Sequence, residues 1–313
     1  MSLPITRIFT VRRVAVTLLL GSLLVTACSA RQAADADLPS IVVTTTILGD
    51  LVRNVVEDGA EVEVLLPNGA DPHDYQASPR QVATMAEADL VVTNGLGLEA
   101  GMGDILTELA AEGVNVLELG PLLDPVPLAD NPDRLDPHLW LDPIRMTDAV
   151  LVIAAELSDE FPSVDWGARA DHYAERLRAA DDEIRAILEK VPDGKRTLIT
   201  NHESLAYFAG RYGFVVVATV IPGGSTLAEP SSAELAALVA VIDDAQVPAI
   251  FAETTAPDSL ARAVAAEAER EVAVVELFTE SLGEPGSGAE NLIEMLILDA
   301  RLIADSLTSA TGH

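Results

Sequence analysis

Two of the chain's five histidines occupy the same tripeptide, Asp71-Pro72-His73 and Asp136-Pro137-His138, 65 residues apart. Packing alone does not call for the repetition, whereas a shared ligand does. A neutral imidazole binds a divalent metal through one ring nitrogen and donates through the other to an outer acceptor. Asp71, Asp74, Asp136 and Asp142 are all candidates for that acceptor. The prolines restrict the backbone before each histidine, which suits a preformed ligand loop. His202, in RTLITNH, and Glu280, in FTESLG, complete a set of three nitrogens and one oxygen. That set suits tetrahedral zinc or another first-row divalent ion. His172 lies among charged neighbours on a helical stretch and His313 is the last residue, so both read as solvated. Glu253, in AIFAETT, reads as a support behind a ligand or a helix cap, and Trp140 and Tyr207 read as core.

The elements that must position these side chains alternate in type. IVVTTT (41–46), EVEVLLP, DLVVTNG and VNVLELG read as strands separated by helical patterns, one of them SPRQVATMAEA with Ser78 as cap and Pro79 at its first position. RTLITNH, FVVVATVI, AIFAETT and VAVVELF repeat the plan, and the chain closes on an amphipathic helix. Such alternation implies an α/β fold of two lobes, each with a mostly parallel four-stranded sheet flanked by helices. Between the lobes, Trp166, Ala170, Tyr173, Leu177, Ala180, Ile184 and Ile187 fall three or four apart, the stripe of one long helix. A rigid helical link is therefore expected, since Gly/Ser-rich coil is absent there. In open α/β sheets, ligands sit outside the carboxyl ends of strands. All four candidate ligands follow strands or precede a helix in that way.

The expected division is a signal peptide over 1–27, a polar tether over 28–39, lobes over 40–162 and 192–313, and a linking helix over 163–191. Arg7, Arg12 and Arg13 precede a short apolar run that ends in LVTAC. The run is too short for a membrane span and reads as an export signal. Cys28 is the only cysteine, so it has no partner for a disulfide or a thiolate site. Its setting resembles a bacterial lipobox, which implies acylation at Cys28 and anchoring outside the cytoplasm. A net charge of −31 argues against nucleic acid, which needs clustered Lys and Arg. GLGLEAGMG lacks the spacing of a dinucleotide site.

DPHDYQASP, DPHLWLDP, TNHESLAYFAGRYG, IFAETT and LFTESLG, in this order, resemble the zinc- and manganese-binding lipoproteins that feed bacterial ABC importers. The resemblance covers nearly the whole chain after the tether. It implies metal ligands at His73, His138, His202 and Glu280, a membrane permease as partner, a metal ion as cargo, a monomer, and no enzymatic turnover. Glu280 stands where the family often has Asp, and no histidine lies between His73 and His138, where many zinc-specific members carry a His-rich loop. Manganese members tend toward two histidines and two carboxylates, because Mn²⁺ prefers oxygen. His202 shifts the set toward zinc, while the adjacent Glu203 keeps manganese open. A reading of another class is a zinc hydrolase with the three histidines as ligands and Glu280 or Glu203 as base. An organic ligand in the cleft is a third, though it would leave the histidines unexplained.

Overall fold

The computed structural model describes residues 38–309, so the export signal and Cys28 lie outside the described residues. The first sheet contains β1 (Ser40–Val43), β2 (Glu61–Val64), β3 (Leu90–Thr93) and β4 (Val116–Glu118), in the order β2-β1-β3-β4 and all parallel. The second contains β5 (Thr197–Thr200), β6 (Val215–Thr219), β7 (Ala249–Glu253) and β8 (Ala273–Leu277), in the order β6-β5-β7-β8, again parallel. The two orders are the same when read from each lobe's first strand.

The connecting helices start where the sequence supplies caps. α1 (Thr46–Val56) opens on Thr45, whose side chain accepts from the Leu48 N–H. That cap ends β1 at Val43, short of the strand expected through residue 46, because the threonines turn the chain into the helix. α2 (Pro79–Glu87) has Ser78 and Gln81 as a reciprocal capping box with proline at the first turn. α3 (Gly103–Ala111) begins after a series of turns. α4 (Pro143–Glu160) is capped by Asp142, and α5 (Trp166–Leu188) by Asp165. In the second lobe come α6 (Ala206–Tyr212), α7 (Ser232–Ala245), α8 (Ser259–Glu267) and α9 (Leu292–Ser309). α6 stops at Gly213, whose φ of 73° is open to glycine at little cost.

α5 is the long link. Its 23 residues span about 34 Å, and every member of the predicted stripe from Trp166 to Ile187 is buried. The helix packs against α1, α4 and α9. One continuous apolar cluster therefore runs from Val43, Leu90 and Val92 in the first sheet, through Leu177 and Ile184, to Leu198, Phe251 and Leu277 in the second. Each sheet's other face has its own small core: Val42, Val91, Met85 and Leu106 in the first lobe, and Ile199, Ile250, Leu238 and Ile242 in the second. The shared core holds the lobes as one body.

Candidate metal centre

The carboxyl ends of both sheets deliver the four predicted side chains to one point. His73 comes from the loop after β2, and His138 from the long connection after β4, next to a 3₁₀ turn at Leu139–Leu141. His202 follows β5 directly, and Glu280 follows β8. All four are at most 2% exposed, and one ligand atom from each lies within 4.8 Å of the others. His202 Nε2 is 3.1 Å from His138 Nε2, which is 3.4 Å from His73 Nε2. Glu280 Oε1 lies 3.5 Å from His138 Nε2 and 3.7 Å from His202 Nε2, and Oε2 lies 3.9 Å from His73 Nε2. A tetrahedron with metal–ligand distances near 2.05 Å has edges of about 3.3 Å. The arrangement is close to that size.

Local bonds hold the three histidine segments. Both Asp-Pro-His segments form the same turn: Asp71 Oδ1 accepts from the His73 backbone N–H at 2.9 Å, and Asp136 Oδ1 from that of His138 at 3.0 Å. Of the four candidate outer acceptors, only Asp136 meets a ligand's imidazole, with Oδ1 2.7 Å from His138 Nδ1. Asp142 caps α4 instead. Glu253 supports His202, its Oε1 2.7 Å from Nδ1, and is itself held by Asn201 and Ser204. His202 is anchored further by its carbonyl, which accepts from Thr200 Oγ1 at 2.6 Å. Glu203 interacts with Asp130, and the group of convergent candidate ligand atoms includes His202 and not Glu203.

Two hydrogen bonds from residues read as core were not anticipated. Trp140 Nε1 donates to the Thr279 carbonyl at 2.6 Å, and Tyr207 OH donates to the Asp136 carbonyl at 2.8 Å. They tie the His138 segment to both ligand segments of the second lobe. The His73 loop is tied across the cleft as well, through Gly69 N–H to Ser281 Oγ, Asn68 Nδ2 to the Gly283 carbonyl, and Thr226 Oγ1 to Asp71 Oδ2. Trp140, Tyr207 and Ser281 stand beside the ligand motifs, but their partners lie far off in sequence.

The electrostatics divide the four ligands. Burial, with His138 and His202 adding to it, takes His73 down to about 2. Burial and His202 hold His138 well below the usual histidine range. Burial also opposes protonation of His202, but Glu253 outweighs it and the net shift is upward. Burial, with Glu253, Asp71 and Asp136 nearby, raises Glu280 well above the carboxylate range. Burial takes Asp136 up to about 7. With Asp136 and Glu253 at their Nδ1 atoms, His138 and His202 turn Nε2 toward each other across 3.1 Å, a separation one shared proton can bridge. Both oxygens of Glu280 are buried with no hydrogen-bond partner among the described residues. A buried carboxylate in that condition favours a proton or a cation.

Such a set can do coordination chemistry. Four protein donors close a tetrahedron and leave no position for a reactive water, and Glu280 belongs to the ring instead of standing behind it as a base. The hydrolase reading therefore finds no support.

The comparisons with known proteins agree. A family model described as ZnuA, zinc-uptake complex component A, periplasmic, matches residues 41–306. The manganese-binding lipoprotein MntA of Halalkalibacterium halodurans is 30% identical over 258 residues, covering 82% of this chain and 84% of that protein. The zinc-binding protein TroA of Treponema pallidum is 30% identical over 278 residues, covering 86% and 89%. A solved structure of TroA superposes with a TM-score of 0.80 at 27% identity, over 86% of this chain and 99% of that one. The chain belongs to the zinc-uptake complex component A family, and its role is that of the substrate-binding protein of a metal ABC transporter.

Proposed function

We propose that this protein captures Zn²⁺ with His73, His138, His202 and Glu280 and hands it to a membrane permease, while anchored outside the cytoplasm by a lipid on Cys28. The observation that carries this reading is the convergence of three imidazole nitrogens and one carboxylate at near-tetrahedral spacings. Relatives named as lipoproteins of metal importers support the location and the partner. The working division remains a signal over 1–27, a tether over 28–39, a first lobe over 40–162, a link over 163–191 and a second lobe over 192–313.

Manganese is the second reading, and one observation favours it. Glu280 directs Oε1 toward His138 and His202 and Oε2 toward His73, so it could bind with both oxygens and raise the coordination number. Three nitrogen donors still favour the softer ion. Relatives are named for each metal, so family membership does not choose between them. The test is metal content of protein purified without added metal, followed by competition between Zn²⁺ and Mn²⁺. One equivalent of zinc, absent from His202→Ala, is the expected result. Preferential retention of manganese would reassign the cargo, and metal retained by the variant would remove the site.

A further inference from the structure

A cavity of about 320 Å³ opens beside the metal centre, between the connection that follows β4 and the edge strand β6. Leu128, Val216 and Val217 give it apolar walls, and Asp130, Asp136 and Glu203 bring carboxylates to it. Asp136 is fully buried. Its Oδ1 is committed to His138, and its Oδ2 has no hydrogen-bond partner among the described residues; the same holds for Glu203 Oε2. No lysine or arginine is among the described residues that line the cavity. Three acids facing one space call for a cation. A hydrated metal ion would want polar walls, whereas apolar walls with carboxylates suit an alkyl stem that ends in a charged head. Apolar side chains are also exposed on β6 and the segment after it. Val215 and Val217 of β6 are 59% and 41% exposed, and Leu227, on the segment after β6, is 58% exposed. Among the described strands β6 pairs only with β5, so its outer edge is open to an added segment.

We propose that this cavity receives an arginine or lysine side chain of the membrane permease, on a segment laid along β6, and that docking there weakens the hold of Asp136 on His138. The inference rests on the reading of the chain as a metal-delivering protein. Asp136 is the physical link, since one carboxylate serves both His138 through Oδ1 and the occupant through Oδ2. A cation on Oδ2 draws charge from Oδ1, makes His138 a poorer donor to its metal, and so couples arrival at the permease to release.

The probe is the peptide acetyl-Val-Arg-Val-amide, titrated into the full chain loaded with one equivalent of Zn²⁺, with backbone amide NMR shifts and the rate of metal transfer to a chelator as readouts. Saturating shifts are expected at residues 128–130, 203–206 and 215–219, with several-fold faster transfer. The citrulline peptide, neutral but similar in shape, should do neither. An Asp130→Asn, Glu203→Gln double variant should lose the shifts and keep its affinity for the first equivalent. Absence of shifts, equal shifts from the citrulline peptide, or shifts that persist in the double variant would overturn the docking site. Shifts at these amides from a second equivalent of Zn²⁺, with none from the peptide, would also overturn it, by assigning the cavity to a free ion. Shifts without faster transfer would overturn the coupling through Asp136. The same titration on metal-free protein separates this inference from the one it rests on: cavity shifts need no zinc, and zinc binding needs no peptide.

Discussion

The two Asp-Pro-His segments have the same sequence and the same turn, yet they do different work. In both, the aspartate accepts from the histidine's own backbone N–H. At Asp136 the same oxygen also meets the His138 ring, and the segment is bound to the second lobe by Trp140 and Tyr207. At Asp71 the second oxygen reaches across the cleft to Thr226, and the His73 ring nitrogen Nδ1 has no partner among the described residues. Local sequence thus dictates the turn, while tertiary surroundings decide whether the carboxylate backs a ligand or fastens one lobe to the other. The His138 segment bonds both within the first lobe, through Asn94 to the Pro137 carbonyl, and to the second, through Trp140 and Tyr207. His73 is the one candidate histidine with no carboxylate at its Nδ1 among the described residues.

The largest test of that contrast is removal of the ligands themselves. His138→Ala and His202→Ala should each cost more metal affinity than His73→Ala, because each removes an imidazole oriented by a carboxylate at its Nδ1. Competition against a chelator of known affinity gives the ranking. Equal losses at all three positions would mean that the carboxylates add nothing to binding.

Next in size are the aspartates. Asp136→Asn should lower affinity by about 10–100-fold, the usual cost of an outer partner of a metal-bound histidine. Asp71→Asn, which leaves the His73 ring untouched, should cost less than tenfold. Calorimetric titration of both variants decides it, and a reversed order would break the distinction between the two segments.

Acid should act through the second lobe. His73 and His138 are held below the usual histidine range, so they stay neutral in mild acid. His202 and Glu280 are shifted upward, so as pH falls they take up protons before the other two, and an arriving metal must expel them. Affinity therefore rises with pH and falls as pH drops, by about tenfold per unit for each proton released. Calorimetry in buffers of different ionisation enthalpy counts those protons. Glu280→Gln should reduce the count, while His73→Ala should leave it unchanged.

Much of this was legible in the sequence, for a definite reason. Strand and helix patterns repeat with clear periodicity, so both sheets and the stripe on α5 follow from residues near one another. The four candidate ligands stand at strand ends or beside proline-locked turns, and the family resemblance selected them from a chain poor in histidine. The carboxylate pairing was only half legible. Asp136 was one of four candidates, and the choice depends on which imidazole rotates toward it. Trp140 and Tyr207 are buried as expected, but their polar atoms reach carbonyls 139 and 71 residues away. No local pattern encodes those meetings, since they arise when the shared core brings the lobes together. Adjacency likewise could not separate His202 from Glu203. In the structure it is His202 that has Glu253 at its Nδ1 and joins the convergent group.

The smallest effect concerns the bond between Thr226 and Asp71. It lies outside the ligand set and joins the His73 segment to the segment after β6. Thr226→Val keeps the shape and removes the donor, at a cost of about 1 kcal/mol in a partly buried place. That corresponds to roughly fivefold in a rate or an equilibrium. If the bond closes the cleft over a bound metal, the loss should appear mainly as faster release, since the ligands that set the capture geometry are unchanged. Asp71→Asn should then speed release to a similar degree, and the double variant should be no faster than either single one, because both changes break the same bond. Stopped-flow transfer to a chromogenic chelator resolves a change of this size. Additive effects would mean that Asp71 acts mainly on the His73 turn, and the cross-cleft role assigned to it would fail.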